Sequence, residues 1–338
     1  MTTSPVASGL RTSTSVPYAR ILGIGSYRPR RVVDNAEICT MIDSSDEWIR
    51  TRSGIRERRW ASPDETLQMM SVAAARIAIE RAGLDPAQID TVIVATVSHL
   101  YQTPSAAATI ASELGTNGAA FDVSAACAGF CYGITLADSL VRTGASRHAL
   151  VIGVERLSDI TSRTDRSTAF IFADGAGAAV VGPSDVPAIG PVVWGSDGEQ
   201  SGLITQTEPW DRAMAADPPQ WPVMAMDGNP VFKWAAFTMA KAASDVLEQA
   251  GVGPDQIEVF VPHQANMRIT DAMLRAIGLP ASVVVGRDIE RQGNTSAASI
   301  PLAIDALLAS GEARSGQTCL IIGFGAGLVY AGQVVVLP

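Results

Sequence analysis

Lysine is nearly absent, with Lys233 and Lys241 the only two in 338 residues. Arginine carries the remaining positive charge, yet acidic residues outnumber basic ones, 34 to 25, for a net charge of −9. That balance excludes a generic nucleic-acid surface, so any anionic partner must be met by a local basic patch. Cysteine is scarce as well. Cys39, Cys127, Cys131 and Cys319 are too few and too scattered for a disulfide framework or a zinc pattern, although Cys127 and Cys131 share a helical face. A reducing, cytoplasmic compartment suits that usage. No run of ~20 uninterrupted apolar residues is present to span a membrane. The opening "MTTSPVASGLRTSTSVPYAR" lacks the apolar core of a secretory signal, and residues 1–18 read as a flexible tail.

What is present is an ordinary globular composition, 47% hydrophobic and 17% charged, in a chain longer than one core usually serves. The chain must hold two domains or one large layered α/β unit. Internal repetition decides between them. "ERAGLDPAQIDTVIVATVSH" (80–99) reads as helix end, turn and buried strand, and "EQAGVGPDQIEVFVPHQAN" (248–266) repeats that grammar, with Gly83 answered by Gly251. The strands "HALVIG" (148–153) and "TCLIIG" (318–323) each follow a helix ending at Gly144 or Gly311, a pair that keeps almost the same separation as Gly83 and Gly251. Two similar α/β halves follow, 19–186 and 187–338, joined through the turn-rich "GPSDVPAIGP" (182–191).

Candidate chemistry sits on this repeat. "AAFDV" predicts a strand and "CAGFCYGITLADSLVRTG" an amphipathic helix, which places Cys127 in the first turn near a candidate cap, Ser124. Unpaired N–H groups and the helix dipole there favour a thiolate. A lone cysteine among alanines also suits a small buried hydrophobe, the reading given to Cys39, Cys131 and Cys319. His263 ends the second copy of a buried strand, and its neighbours Gln264 and Asn266 have no core-filling rationale. His148 reads as a surface residue entering a strand. The separation of Gly144 and Gly311, carried forward from Cys127, leads to Asn294, an equivalent point with the alternative role of an N-cap. Ligands gather at the carboxyl ends of such strands and at helix N-termini, so these three are placed to converge where the halves meet. "GFGAG" is no dinucleotide loop, because Leu328 stands where the third glycine belongs and a strand follows.

"DVSAACAGF", "VPHQAN", "GNTSAAS", "GFGAGLVYAG", "SSDEWIRTRSGIRERR" and "DRSTAFIFADGAGAAVV", spread from about Ala19 onward, resemble the signatures of β-ketoacyl-acyl-carrier-protein synthase III, a condensing enzyme of the thiolase superfamily. Actinobacterial members prime fatty-acid or polyketide synthesis, and an alanine-rich, arginine-over-lysine composition suits a GC-rich genome. The resemblance implies an α/β thiolase fold in which two duplicated βαβ-type halves form a five-layer α/β/α/β/α sandwich. It implies a homodimer, with acyl-CoA and malonyl-acyl-carrier protein as substrates and no metal or redox cofactor.

The implied reaction is a ping-pong Claisen condensation. Cys127 takes a starter acyl group from CoA, malonyl-carrier protein loses CO2, and His263 with Asn294 holds the enolate that attacks the Cys127 thioester. Backbone N–H groups of Cys127 and Ala326 hold the acyl oxyanion; many relatives have glycine at the latter. Trp48, Arg52, Arg166 and Asn266 would meet CoA or phosphopantetheine, in a region where eight arginines fall between Arg28 and Arg59. Such a charge run is otherwise a solvated face. Lys233, Arg268 and Arg275 would dock an acidic carrier protein. Thr103, reaching from the dimer partner, would wall an acyl pocket completed by Phe172, Met224, Met226 and Phe324. Segment 204–224, with Trp210 and Trp221, reads as a variable flap over it.

Other readings compete. Cys, His, Asn is also the papain-like order, and His263 follows Cys127 within the spacing that family shows, but "CAGFC" lies deep in the chain rather than near its start. An acyltransferase that passes the acyl group to a hydroxyl, amine or thiol without condensation is a closer rival. Retention of both His263 and Asn294 favours decarboxylative chemistry. A non-catalytic partner subunit is the non-enzyme alternative, and an intact triad opposes it.

Overall fold

The computed structural model describes residues 11–338, so the first ten residues of the expected tail lie outside the described residues. Order reaches into the rest of that tail: Val16 packs on the core and its N–H donates to the Arg142 carbonyl at 3.0 Å.

In chain order the strands of the first half are β1 (Tyr18–Tyr27), β2 (Arg31–Asp34), β3 (Glu57–Trp60), β4 (Thr91–Ala95), β5 (Ala119–Val123), β6 (Ala149–Arg156) and β7 (Asp174–Ser184). Those of the second are β8 (Val193–Ser196), β9 (Ile204–Gln206), β10 (Met224–Met226), β11 (Val259–Pro262), β12 (Val284–Val285), β13 (Thr318–Gly325) and β14 (Val329–Val336). Two five-stranded sheets result, ordered β1-β7-β6-β4-β5 and β8-β14-β13-β11-β12. Strand senses match as well: β4 runs parallel to β5 and β6 as β11 does to β12 and β13, while the other two pairings in each sheet are antiparallel. The repeat read from sequence is thus a repeat of topology.

Helices cover both faces of each sheet, which is why β4 (TVIVA) and β11 (VFVP) are buried at every position rather than alternating. The helix Gly129–Arg142 and its counterpart Ser299–Ser310 lie between the sheets and share one core, through Phe130, Ile134 and Val141 on one and Ile300, Ile304 and Leu307 on the other. Helices Leu67–Arg81 and Ala106–Leu114 cover the outside of the first sheet, and Gly228–Ala250 and Met267–Ile277 the outside of the second. The layers are α/β/α/β/α. Among the described residues no helix is long and apolar enough to cross a membrane.

Two sequence expectations change. His148 is buried, not on the surface: it stands just before β6 with its Nδ1 3.0 Å from the Gln88 carbonyl. Cys127 is not inside the central helix. Residues Ala126–Ala128 form a one-turn 3-10 helix, and the α-helix begins at Gly129 with Ala128 rather than Ser124 as its cap.

The halves meet closely where side chains are smallest. A Cβ on Gly153, in the middle of β6, would stand 2.2 Å from the backbone oxygen of Ala297 in the opposite half. Since backbone cannot swing aside as a side chain can, Gly153→Ala is expected to destabilise the protein by about 1–3 kcal/mol. Urea unfolding measures this; an unchanged midpoint would show that the seam yields more easily than its packing implies.

Candidate functional site

Chain segments that follow β5, β11 and β13, and the turn after the short helix Ile289–Gln292, meet at the seam and line a cavity of about 950 Å³. Cys127, His263, Asn294 and Ala326 all line it. Cys127 follows β5, His263 follows β11, and Ala326 opens the one-turn helix after β13. Asn294 is tied to the first half by backbone: its N–H donates to Ile171 and its carbonyl accepts from Ala173, both at 2.9 Å.

The duplication shapes this floor, with a shift from the sequence expectation. Ala126 and Ser296 are the two non-glycine residues with left-handed backbone among those described, at φ 44° and 47°, and each starts a 3-10 turn before a central helix. The counterpart of Cys127 is therefore Ala297, not Asn294. Asn294 sits earlier in the turn, where its Oδ1 accepts the Ser296 N–H at 2.8 Å, a local turn rather than the cap of the helix that starts at Ser299. With Oδ1 engaged, the amide nitrogen is the end left for the cavity.

Electrostatics of the site follow from its burial. Cys127 lines the cavity and is partly accessible there, and burial in its surroundings pushes its thiol up to about 12. Desolvation thus opposes the helix terminus, two residues on, which favours the thiolate. Burial also holds His263 at about 3, hence neutral. Its Nδ1 lies 2.7 Å from Ser299 Oγ, which accepts the Gln264 N–H at 3.2 Å. With that serine donating its own proton to Nδ1, the imidazole proton is assigned to Nε2, facing the cavity. The Phe324 ring stands edge-on to the imidazole at 5.3 Å and fixes its plane. The end of β13 touches the sulfur itself: a Cβ on Gly325 would lie 3.0 Å from Sγ and 2.8 Å from the Cys127 nitrogen.

Around this floor, Phe172, Met224, Met226 and Phe324 line the same cavity, whereas Thr103 is exposed and does not line it within its own chain. The expected flap is a small ribbon, β9 paired antiparallel with β10, that closes on itself through Trp210 and Trp221 at 4.9 Å. It is pinned to the first half by Met224 N–H to the Ile160 carbonyl at 2.7 Å and Trp221 Nε1 to the Asp159 carbonyl at 2.9 Å. At the mouth, Trp48 and Arg52 line the cavity and Arg166 stacks its guanidinium over the indole at 4.5 Å. Asn266 is engaged at both ends, donating to the Arg52 carbonyl and accepting from the Arg268 N–H, each at 2.9 Å, so it buttresses two arginine-bearing walls. Arg268 lies over Phe232 at 4.8 Å on the rim, while Lys233 and Arg275 are exposed outside the cavity lining.

Not every arginine of the early cluster is a solvated face. Arg58 is fully buried, donating to the carbonyls of Val33 and Phe170 and to Asn35 Oδ1, and burial lowers it only to about 10, so it stays charged. Sequence reasoning also passed over Glu155 and Ser296. Glu155 is buried near Cys127, and burial raises its carboxyl to about 7. A carboxylate at the end of the apolar run "ALVIGVE" was the available signal.

The 3-oxoacyl-[acyl-carrier-protein] synthase III family description matches residues 121–198, and its C-terminal counterpart matches 247–337. β-Ketoacyl-[acyl-carrier-protein] synthase III 1 of Streptomyces coelicolor is 56% identical over 342 residues, covering 98% of this chain and all of the relative. The synthase III of Streptomyces glaucescens is also 56% identical, over 332 residues, with the same coverage. The crystal structure of the priming β-ketosynthase from the R1128 polyketide biosynthetic pathway superposes with a TM-score of 0.94 at 52% identity, over 98% of this chain and 99% of that one. With more than half of its residues shared along nearly the whole length of such relatives, this chain belongs to the β-ketoacyl-acyl-carrier-protein synthase III family.

Proposed function

We propose that this chain joins a starter acyl group from acyl-CoA to malonyl-acyl-carrier protein at the seam cavity, releasing CO2 and a 3-oxoacyl-carrier protein that begins a fatty-acid or polyketide chain. The observation that carries the assignment of residues is one cavity lined by a thiol, a neutral imidazole and a carboxamide drawn from both halves. In the first half-reaction Cys127 sulfur attacks the thioester carbonyl, the bond to CoA sulfur breaks, and the acyl group stays as a protein thioester. The N–H groups of Cys127 and Ala326 stand at the starts of one-turn helices, where donors lack partners within the turn, and hold the oxyanion.

In the second half-reaction the malonyl carboxylate leaves as CO2 and its bonding pair passes into the thioester as an enolate. His263 Nε2–H and the Asn294 amide donate to the enolate oxygen. A neutral imidazole suits this task, because it donates without adding a charge that must be desolvated. The enolate carbon then attacks the Cys127 thioester and the sulfur departs. A bare transferase needs a base at this place more than two enolate donors, which is what favours condensation.

Trp48 presents an indole face for adenine, with Arg52 toward the CoA phosphates; an adenine stacking there must enter beside Arg166, which covers that face. Asn266 serves this mouth by fixing Arg52 and Arg268 rather than by free amide contacts. The carrier protein, acidic in this reading, docks on Arg268, Lys233 and Arg275. Thr103 acts in a second copy's acyl pocket: its loop is exposed, with Tyr101 72% and Leu100 47% accessible in one chain. A homodimer buries that loop. A cytoplasmic location belongs to the same reading.

Asn294→Ala is expected to slow malonyl-carrier protein decarboxylation by about 100-fold while leaving Cys127 acylation within a few-fold. Separate assays of radiolabelled CO2 release and acyl-enzyme mass measure the two, and equal losses would contradict the enolate role. Thr103→Phe is expected to shift starter choice toward acetyl-CoA over longer or branched acyl-CoAs in a mixed pool. An unchanged distribution of acyl-enzyme masses would remove Thr103 from the pocket wall.

A further inference from the structure

The helix Gly228–Ala250 carries both of the chain's lysines and, midway between them, the most exposed large hydrophobic side chain among the described residues. Lys233, Phe237 and Lys241 are spaced by four and stand on one ridge, where Phe237 is 78% accessible. The other side of the helix does the packing: Ala235, Met239, Ala243 and Val246 are buried in the core of the second half. Phe237 thus adds nothing to folding that alanine, the better helix former, would not supply. A single exposed apolar side chain is common on any surface. The position of this one is what gives it meaning.

The ridge begins at the cavity. Asn229, one turn before Lys233, lines the mouth, and at 1.5 Å per residue Lys241 stands about 18 Å further along the surface. Phe232 and Trp234, on either side of Lys233, line the cavity too, and Trp234 meets Phe324 near edge-on at 6.3 Å. Phe237 follows Trp234 by three positions, so an aromatic stripe leaves the cavity and continues for one turn on open surface. Phe237 itself is not part of the cavity lining. A ligand held inside does not cover it, whereas a macromolecule that feeds the mouth does.

Charge states the kind of macromolecule. Among the described residues Lys233, Arg268 and Arg275 have no ion-pair partner, while carboxylates on the same two helices are engaged, Asp271 by Arg287 at 2.8 Å and Asp245 by Lys241 at 2.7 Å. Glu248 lies two turns beyond Lys241, and Asp227 lines the cavity. Arg268, over Phe232 at 4.8 Å, joins the basic groups of the second helix to the stripe. The face is locally basic on a protein of net charge −9, and it suits an acidic partner. A second copy of this chain suits it poorly, because a two-fold pairing of such ridges about Phe237 would set lysine against lysine.

We infer that Phe237 is the apolar anchor on which the carrier protein docks, an inference that rests on the reading of malonyl-carrier protein as second substrate. The carrier protein lies along the ridge from Lys233 to Lys241, whose side chain stays 77% accessible despite its ion pair. It sets an apolar side chain on Phe237 between its own acidic groups, and its thioester arm enters past Phe232 and Trp234. The cationic groups steer and orient the partner, while binding strength is concentrated in the aromatic that loses its water. Acyl-CoA brings no protein to the ridge, so the contact belongs to the second half-reaction alone.

The test is steady-state condensation by wild type and Phe237→Ser, with a malonyl-loaded acidic acyl-carrier protein and with malonyl-pantetheine, the same thioester without the protein. Phe237→Ser is expected to raise KM for the carrier protein about tenfold while kcat stays within about twofold. With malonyl-pantetheine kcat/KM is expected to stay within about twofold. Phe237→Leu, which keeps an apolar side chain, is expected to recover most of the affinity. An unchanged KM in Phe237→Ser, or an equal loss with malonyl-pantetheine, would overturn the anchor. A Phe237→Ser protein that sediments at half the wild-type mass would overturn it too, in favour of a face between copies. Wild-type enzyme that turns over malonyl-pantetheine but never the carrier protein would instead remove the reading on which the anchor rests.

Discussion

Burial of the reacting side chains at the seam between the two halves is the constraint on which the site depends. Three titratable side chains meet there, and burial drives each toward its uncharged form: Cys127 to about 12, His263 to about 3 and Glu155 to about 7. Charge then arises at this point chiefly while bonds are changing, first on an acyl oxygen and later on an enolate oxygen. In the proposed reaction fixed N–H donors meet those charges without the reorganisation that water would need. The same burial that makes a resting thiolate costly makes each of these hydrogen bonds worth more.

Burying the seam takes two complete sheets and the helices between them. Their approach relies on missing side chains: Gly153 backs onto Ala297, and Gly325 lies against the Cys127 sulfur. It also relies on residues held in unfavourable backbone conformations, since Ala126 and Ser296 adopt left-handed φ without being glycine. Such a conformation persists only when surrounding structure over-determines it. Here it re-aims the chain just before each central helix, and so delivers Cys127 on one side and Ser296 on the other.

Much of this was legible in the sequence, for definite reasons. Buried parallel strands read as apolar runs, and a duplication leaves the same turn residues at nearly one spacing, so the paired "ERAG" and "EQAG" segments disclosed the architecture. Cys127, His263 and Asn294 stood out because each interrupts or ends an apolar element with a reactive or amide group. Position within a turn was less legible: the true counterpart of Cys127 is Ala297, because the second central helix has 12 residues against 14 in the first, so the spacing of Gly144 and Gly311 does not carry back to the helix start. Burial of charge was hidden as well. Nothing local separates Arg58, enclosed by carbonyls from distant segments, from its exposed neighbours, and Asn266 looked free until its partners were in place. Glu155 was missed because its partners come from the far-off segment that follows β4.

One single-turnover experiment addresses most directly whether one chamber serves both half-reactions. Enzyme acylated at Cys127 by a single acyl-CoA, freed of excess CoA ester, is mixed with malonyl-carrier protein, and both proteins are weighed. The account predicts loss of the acyl mass from the enzyme, CO2 release, and a carrier protein bearing the starter acyl group extended by two carbons. A carrier protein bearing the unextended starter, or an acyl-enzyme that persists beside unreacted malonyl-carrier protein, would contradict it.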